Sequence, residues 1–188
     1  GGHGVVVLSP NAIKRLSTFH PERPMPKIFR LVKNGKLIEG VYEGETLNTP
    51  SMFCVADALD SLMWIKEIGG LTETIRRSNE NFKCLQGWVD KTPWIENLVS
   101  DPRNRSNTSV CLKFSDERLI SLIPNEKTRF VKEFVALLEA ENAAFDIKGH
   151  RNAPPGLRIW CGATINLDDI QKLLPWLEYC FHEIISSY

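Results

Sequence analysis

The sequence has no excess of charge of either sign and no long hydrophobic run. Its 188 residues include 23 lysines and arginines and 23 aspartates and glutamates, so the formal net charge is zero. A nucleic-acid backbone is bound by a broad basic surface, which this balance does not provide. No apolar run approaches the length that spans a bilayer. With 43% hydrophobic and 24% charged residues, the composition is that of an ordinary globular protein.

Cysteine and metal chemistry are also poorly represented. The five cysteines are widely spaced and odd in number, and no two of them form a CxxC pair. This pattern argues against a disulfide framework and gives a zinc ion no ligand spacing. Each cysteine lies in an apolar run, which predicts buried, inert thiols and fits a reducing cytoplasm. The four histidines are too scattered to indicate a metal site. No nucleophile elbow, P-loop or paired-carboxylate motif is present.

The chain starts with GGHGVVVLSP, which contains no methionine. These residues have the pattern of a glycine-rich turn that enters a strand, where a chain does not normally begin. We therefore expect the N-terminus to be a proteolytic or engineered cut inside a larger protein. The alternative is a scar left by an affinity tag.

Strand-like and helix-like segments alternate along the chain, which predicts a two-layer α/β or α+β protein. Strands are expected at residues 5–8, 28–32, 37–42, 110–114, 144–147 and 157–161. Helices are expected at residues 10–16, from 52 to a Gly69–Gly70 pair, from about 72 to 89, and at 127–141 and 167–185. The Asn34–Gly35 dipeptide predicts a hairpin turn. A boundary near Gly70 gives a first domain of residues 1–71 and a second of residues 72–188.

The segment ETLNTPS at residues 45–51 places polar side chains just before a predicted helix. Helix N-termini attract anions through their free backbone N–H groups, so Asn48 and Thr49 are candidates for binding an anion. The alternative, which the residues alone favour, is that Asn48, Thr49 or Ser51 only caps the helix.

A permanently charged residue, Arg158, lies inside the predicted strand at residues 157–161. Neighbouring side chains of a strand point to opposite faces, so Arg158 is expected to share a face with Gly156 and Trp160. One interpretation is a solvated face or an ion pair with a nearby acid, because arginine is rarely buried without a partner. The other is a carboxylate clamp at the end of the strand, because a guanidinium binds a carboxylate bidentately.

Two further basic residues, His150 and Arg151, precede that strand in the loop GHRNAPPGLR at residues 149–158. Together with Arg158 they suit a substrate that has two acidic groups, with a phosphate on His150 and Arg151 and a carboxylate on Arg158. The alternative is ordinary surface charge, solvated beside Asp146 and Lys148.

Several motifs in this order and spacing resemble those of the phosphoserine aminotransferases. They are TLNTP at 46–50, WIKEIGGL at 64–71, SNTSVCLKF at 106–114 and HRNAPPGLRIWCGAT at 150–164. The opening GGHGVVVLSP also fits, so the resemblance covers the whole chain. No single motif is specific, but the combination is.

The resemblance implies a fold type I transferase that depends on pyridoxal 5′-phosphate, with a large cofactor domain and a small α+β C-terminal domain. It implies a cytoplasmic homodimer of serine biosynthesis with active sites at the interface; some bacterial members also act in pyridoxine biosynthesis. The reaction converts 3-phosphohydroxypyruvate and glutamate to O-phosphoserine and 2-oxoglutarate. In this reading Asn48 and Thr49 reach the cofactor phosphate across the dimer. His150 and Arg151 bind the substrate phosphate, and Arg158 binds the α-carboxylate.

The sequence departs from the family pattern in one large respect. The lysine that forms the Schiff base, the aromatic residue that stacks on the cofactor and the aspartate at its pyridine nitrogen all precede the stretch that matches Gly1–Gly4. We therefore expect a C-terminal half that needs the N-terminal half of the same enzyme as a partner. Since a transaminase requires that lysine, the chain alone is expected to be inactive. The alternative function is a non-catalytic domain that binds small anions or mediates dimerisation.

Overall fold

A computed structural model of the chain describes residues 6–188. It divides into two compact units, Gly1–Trp64 and Ile65–Tyr188. The first unit ends inside a helix, whereas the sequence placed the boundary near the Gly69–Gly70 pair. Among the described residues, no helix is both long and apolar enough to cross a membrane.

The first unit consists of short elements and the start of a longer helix. Its helices are α1 (Pro10–Thr18) and α2 (Met52–Glu67), its strands are β1 (Val32–Lys33) and β2 (Lys36–Leu37), and single 3-10 turns lie at Lys27–Phe29 and Glu39–Tyr42. The predicted strand at residues 5–8 is not formed over Val6–Leu8, and Val5 lies outside the described residues. Val7 is 88% exposed, and within residues 6–188 no strand pairs with this apolar run.

The predicted hairpin forms, but its strands are much shorter than expected. β1 and β2 pair as antiparallel strands of two residues each. Asn34 and Gly35 have φ values of 53° and 72°, the positive values that a two-residue hairpin turn of this kind requires. The turn prediction is therefore confirmed. The ladder has only two residue pairs, and 3-10 turns lie in the segments on either side of it.

Helix α2 is confirmed where the sequence predicted it, but its apolar face is not covered. The hydroxyl of Ser51 accepts a hydrogen bond from the backbone N–H of Cys54 at 3.4 Å and so caps the helix. None of the residues of α2 is buried. Met52, Phe53 and Leu62 are 73%, 84% and 63% exposed. An exposed apolar face of this kind is typical of a surface that contacts another protein segment.

The second unit contains a small antiparallel sheet packed against helices. Its helices are α3 (Gly70–Val89), α4 (Glu117–Ile120), α5 (Pro124–Ala140) and α6 (Leu167–Ile185); its strands are β3 (Ile95–Asn97), β4 (Ser109–Phe114) and β5 (Leu157–Trp160), and a 3-10 turn lies at Pro102–Asn104. The strand order is β3-β4-β5. β4 and β5 lie in one sheet, as a single small lobe with flanking helices requires.

Helices α5 and α6 follow the predicted periodicity, whereas Ile75 of α3, expected on its apolar side, is 50% exposed. In α5 the apolar residues at helical spacing within the predicted range 127–141 are buried: Phe130, Val131, Phe134, Val135 and Leu138. Helix α6 has the predicted bounds, and a capping box formed by Asn166 and Asp169 fixes its start. Gly69 and Gly70, with φ values of 116° and 71°, separate α2 from α3.

One strand prediction in this unit is wrong, and one strand was not predicted. Residues 144–147 form no strand; the neighbouring residue Lys148 makes a single bridge to Leu157. The reason is the backbone at Asp146, whose φ of 53° is incompatible with an extended strand. Strand β3, which the sequence analysis did not predict, pairs Ile95 and Asn97 with residues of β4.

The sheet and helices enclose one hydrophobic core in this unit. Leu112 and Leu157, on adjacent strands, are each 1% exposed, and Phe134 and Leu138 of α5 are fully buried. Gly156 lies at the start of β5, where a Cβ would come 2.2 Å from the carbonyl oxygen of Leu112. A glycine is therefore required for β5 to lie against β4, and this approach sets the position of the residues that follow it.

Candidate functional site

Arg158 lies on the open face of β5. Its strand neighbours Leu157 and Ile159 are each 1% exposed and point into the core. Arg158 is half-buried and Trp160 is 51% exposed. Arg158 pairs with Cys111 of β4, and its backbone N–H donates to the carbonyl oxygen of Ile147 at 2.7 Å. The strand therefore holds the base of the arginine firmly and leaves its guanidinium on the solvent side.

The guanidinium of Arg158 forms an ion pair with Asp146. One nitrogen, Nη2, lies 3.4 Å from Oδ2 of Asp146, and the two side chains are 39% and 90% exposed. Within residues 6–188 no other hydrogen bond engages the Arg158 side chain. The ion pair that the sequence left open is thus present, but it is single and solvated, and such pairs contribute little to stability. Most of the guanidinium donors remain available to a ligand.

A cleft of about 320 Å³ surrounds this arginine. It is lined by Ser109, Phe145, Asp146, Ile147, Arg158 and Trp160. The indole N–H of Trp160 donates to the hydroxyl of Thr164 at 3.0 Å. The indole also lies over Gly162, where a Cβ would come 2.3 Å from the ring. These two contacts fix the indole of Trp160, which lines the same cleft as Arg158.

His150 and Arg151 lie in a neighbouring loop and line a different cleft. That cleft has a volume of about 250 Å³ and is also lined by Lys148 and by Thr128 of α5. The backbone N–H of Asn152 donates to Nδ1 of His150 at 3.2 Å. Because Nδ1 accepts this hydrogen bond, Nε2 is the ring nitrogen that can donate a hydrogen bond to an anion. The cleft therefore combines two permanent charges, from Lys148 and Arg151, with one imidazole donor.

Two backbone contacts join the loop that lines the His150 cleft to the segment that leads into Arg158. Gly149 donates to the carbonyl oxygen of Gly156 at 2.9 Å, and Lys148 bridges Leu157. The structure brings His150 and Arg151 together in one cleft and places Arg158 in the next. The three basic residues therefore do not line one common cleft.

Asn48 and Thr49 lie in the first unit, in the loop that precedes α2. Both are exposed, and among the described residues neither side chain makes a hydrogen bond. Ser51 caps α2 instead. The amide of Asn48 and the hydroxyl of Thr49 are neutral hydrogen-bond donors of the type that a phosphate accepts, so the residues present are compatible with a cofactor phosphate.

Three residues of the clefts were not identified as functional from the sequence. Lys148, whose sequence context suggested only a solvated surface charge, lines the same cleft as His150. Ser109 enters the arginine cleft because it pairs with Trp160 across β4 and β5. Only the position of Trp160 two residues after Arg158 was a usable signal in the sequence. In the part of the chain from residue 6 onward, no group of three or more histidine, cysteine, aspartate or glutamate side chains forms a metal site.

The thiols are all free, and they differ in burial. Cys161 and Cys180 are buried as predicted, and burial raises the pKa of Cys161 to about 12 and that of Cys180 to about 11. Cys54, Cys84 and Cys111 are only half-buried, so the prediction of uniformly buried cysteines is wrong for these three. Partial burial also raises the pKa of Cys84. The raised pKa values of Cys84, Cys161 and Cys180 are the opposite of the lowered pKa of a nucleophilic thiol.

Two solved structures share the fold of this chain. A phosphoserine aminotransferase from Bacillus circulans subsp. alkalophilus aligns with a TM-score of 0.62 and 24% identity, over 76% of this chain and 36% of that one. A phosphoserine aminotransferase with bound pyridoxal phosphate, from Trichomonas vaginalis, aligns with a TM-score of 0.60 and 22% identity, over 73% of this chain and 36% of that one. The chain thus has the fold of part of these two proteins.

Curated relatives are more similar in sequence than these two structures. Phosphoserine aminotransferases of Methanosarcina mazei and Methanosarcina barkeri are each 44% identical to the chain, over 96% and 97% of its length. The chain spans about half the length of these relatives, 46% of each. No family model matches the sequence. The resemblance to the phosphoserine aminotransferases is therefore confirmed, and the chain is homologous to about half of such an enzyme.

Proposed function

We propose that this chain forms the substrate-binding part of a phosphoserine aminotransferase. The complete enzyme exchanges the amino group between O-phosphoserine and 2-oxoglutarate, giving 3-phosphohydroxypyruvate and glutamate in the reverse of the biosynthetic direction. The observation that carries the proposal is the 44% identity to enzymes of this name along almost the whole chain. The two adjacent clefts, one with a single arginine and one with several basic groups, support it.

Arg158 binds the α-carboxylate that all four substrates have in common. Its guanidinium is anchored by the strand and retains donors beyond the one that Asp146 uses. A carboxylate that binds bidentately makes two charge-assisted hydrogen bonds and fixes the orientation of the carbon that reacts. Trp160 excludes water from one side of this contact, which strengthens it.

His150, Arg151 and Lys148 bind the second acidic group of the substrate. In O-phosphoserine this group is a phosphate, and in glutamate it is the side-chain carboxylate. The phosphate carries more charge and more acceptor oxygens, so three cationic or donor groups favour phosphorylated substrates. The Nε2–H of His150 supplies a directed hydrogen bond, while the two cations supply charge.

The cofactor of the proposed enzyme is pyridoxal 5′-phosphate, which when bound supplies the electron-withdrawing ring required for amino-group transfer. Asn48 and Thr49 hold its phosphate from a partner subunit of a homodimer. Their exposed and unengaged side chains are consistent with such a contact. The lysine that bonds to the cofactor is provided by the other half of the enzyme, so the 188-residue chain by itself is inactive.

The partners of this chain are therefore the other half of the same enzyme and a second copy of the whole. The exposed apolar face of α2 is evidence for contact with another protein segment, because Phe53 and Leu62 are 84% and 63% exposed. Neutral net charge and the absence of a basic field argue against a nucleic-acid partner.

The test is to assay the complete enzyme that contains this chain, loaded with pyridoxal phosphate, for formation of glutamate from 2-oxoglutarate and O-phosphoserine. Serine replaces O-phosphoserine as the control donor, and the 188-residue chain is assayed alongside. We expect transfer from O-phosphoserine only, and none by the isolated chain. Equal activity with serine would contradict the substrate assignment. Anion binding without any transfer by the complete enzyme would favour a non-catalytic anion-binding or dimerisation domain.

A further inference from the structure

We propose that Asp146 sets the affinity of the Arg158 cleft for carboxylates. When no substrate is present, the Asp146 carboxylate forms an ion pair with the guanidinium of Arg158. The substrate carboxylate then displaces the Asp146 carboxylate. The proposal rests on the proposed function, since it takes Arg158 as the site of the α-carboxylate. It adds a residue that competes with the substrate for that arginine.

Asp146 makes a weak contact at the position where a ligand carboxylate would bind. It lines the same cleft as Arg158, and its carboxylate contacts the guanidinium through one pair of atoms at 3.4 Å. The side chain is 90% exposed, so water solvates it as soon as the contact breaks. No other hydrogen bond in the described part of the chain holds the Asp146 side chain.

The backbone explains why an acid reaches this cleft. Asp146 has a φ of 53°, a left-handed conformation that aspartate and asparagine tolerate better than most residues. This turn interrupts the extended course of residues 144–147, which the sequence suggested would form a strand. The backbone of the next residue, Ile147, accepts a hydrogen bond from Arg158 at 2.7 Å. The turn therefore keeps Asp146 next to the arginine that it contacts.

A substrate carboxylate wins this competition because it binds in a better geometry. A bidentate carboxylate makes two short charge-assisted bonds, whereas Asp146 makes one long bond. An exposed single ion pair is worth at most about 1 kcal/mol, which corresponds to a factor of about five in binding. Asp146 therefore lowers the affinity for a carboxylate by about two- to five-fold, and it leaves the site able to release product.

The experiment measures the dissociation constant of glutarate by calorimetry on the complete enzyme loaded with cofactor. Glutarate carries the two carboxylates of glutamate but has no amino group, so it cannot react. The variant Asp146→Asn removes the charge while keeping the side-chain size and the tolerance for positive φ. We expect glutarate to bind about two- to five-fold more tightly to this variant. Asp146→Gly, which also accepts positive φ, should give the same shift.

The matched control is Glu96→Gln. Glu96 forms an ion pair with Lys113 at 2.9 Å in the same sheet, and both side chains are about half exposed, at 54% and 44%. Neither residue lines the arginine cleft. This variant removes the same charge from the same unit, so it measures the general effect of a lost negative charge on anion binding. We expect it to leave the dissociation constant of glutarate unchanged.

A third variant, Arg158→Gln, separates this proposal from the proposed function. If Arg158→Gln weakens glutarate binding and Asp146→Asn tightens it only when Arg158 is present, the two residues are coupled and the proposal holds. If Arg158→Gln weakens binding but Asp146→Asn has no effect or weakens it, the competition is refuted and the assignment of Arg158 survives. If Arg158→Gln has no effect, both the carboxylate assignment and the competition are overturned.

Discussion

Replacing Arg158 by lysine tests the proposed role of this residue most directly. The substitution keeps the positive charge on β5 but replaces a planar fork of donors with a single ammonium group. The strand itself should be unaffected, because the hydrogen bond from residue 158 to Ile147 uses the backbone N–H. The change is therefore confined to the geometry of the contact with a carboxylate.

The magnitude follows from the contacts of the guanidinium. Asp146 engages one nitrogen of the guanidinium at 3.4 Å, so its other donors are left for a substrate. Lysine retains the charge but loses one of the two parallel bonds. A hydrogen bond to a charged group contributes about 1.5–3 kcal/mol, so we expect a loss of roughly 2–3 kcal/mol in transition-state stabilisation. That loss corresponds to a decrease in rate of about 30- to 150-fold.

The assay is single-turnover kinetics of the two half-reactions in the complete enzyme, followed by the absorbance of the cofactor. Because both amino-acid substrates carry an α-carboxylate, Arg158→Lys should slow the glutamate and O-phosphoserine half-reactions alike. Arg151→Ala should instead slow the O-phosphoserine half-reaction most, with a smaller loss for glutamate. The control is Arg103→Lys, because Arg103 is 88% exposed, pairs with Asp101 and lies outside both clefts.

Two results would refute the reasoning. Normal rates for both half-reactions in Arg158→Lys would show that no bidentate carboxylate binds there, and Arg158 would then be an ordinary surface arginine paired with Asp146. A loss confined to glutamate in Arg151→Ala would show that the second cleft does not select phosphate.

Three further predictions concern the cofactor, the sheet and the thiols. Asn48→Ala and Thr49→Ala should each weaken retention of pyridoxal phosphate by roughly tenfold or more, measured as cofactor release during dialysis of the dimeric enzyme. The control Ser51→Ala, which removes only the cap of α2, should not weaken retention of the cofactor. Equal release from all three variants would reject the assignment of Asn48 and Thr49. Gly156→Ala should destabilise the protein by about 1–3 kcal/mol in urea unfolding, because its Cβ would lie 2.2 Å from the Leu112 carbonyl oxygen. Gly87→Ala, where a Cβ meets nothing within 4 Å, should be neutral or stabilising, and a stable Gly156→Ala protein would mean that β4 and β5 shift apart freely. Cys161 should resist iodoacetamide at about pH 8 until the protein unfolds, because burial raises its pKa to about 12. Rapid alkylation of Cys161 in the native protein, detected by mass spectrometry, would contradict this prediction. Since the folded pKa lies above the ordinary value of 9.0, Cys161 also lowers stability as the pH rises from that value towards about 12.

Several elements could be predicted because their signals are local. Helix α6 starts at a capping box, Asn166 with Asp169, and keeps an apolar face to its end. In α5 the spacing of the apolar residues alone identified the buried face. The turn at Asn34–Gly35 follows from two residues that accept positive φ. Each of these features depends on residues within one or two turns of the chain.

Strand predictions failed where pairing with another strand decides whether a strand forms. Residues 144–147 are apolar enough for a strand, yet only one bridge forms near them because Asp146 takes a left-handed conformation. Strand β3 has only three residues and exists because β4 lies beside it. A strand is stabilised by pairing with a distant segment, so its own sequence is a weak indicator.

The same division applies to the site. Residue types and motif order were enough to identify Arg158, His150, Arg151, Asn48 and Thr49 as candidates and to indicate the family, because charge, hydrogen-bonding capacity and motif spacing are properties of the chain itself. The sequence could not show that Arg158 and the His150–Arg151 pair line separate clefts, or that Asp146 contacts the guanidinium. Those arrangements depend on the register of β4 against β5, on the close approach at Gly156 and on a turn at Asp146. Each of them exists only after segments that are distant in sequence have packed together.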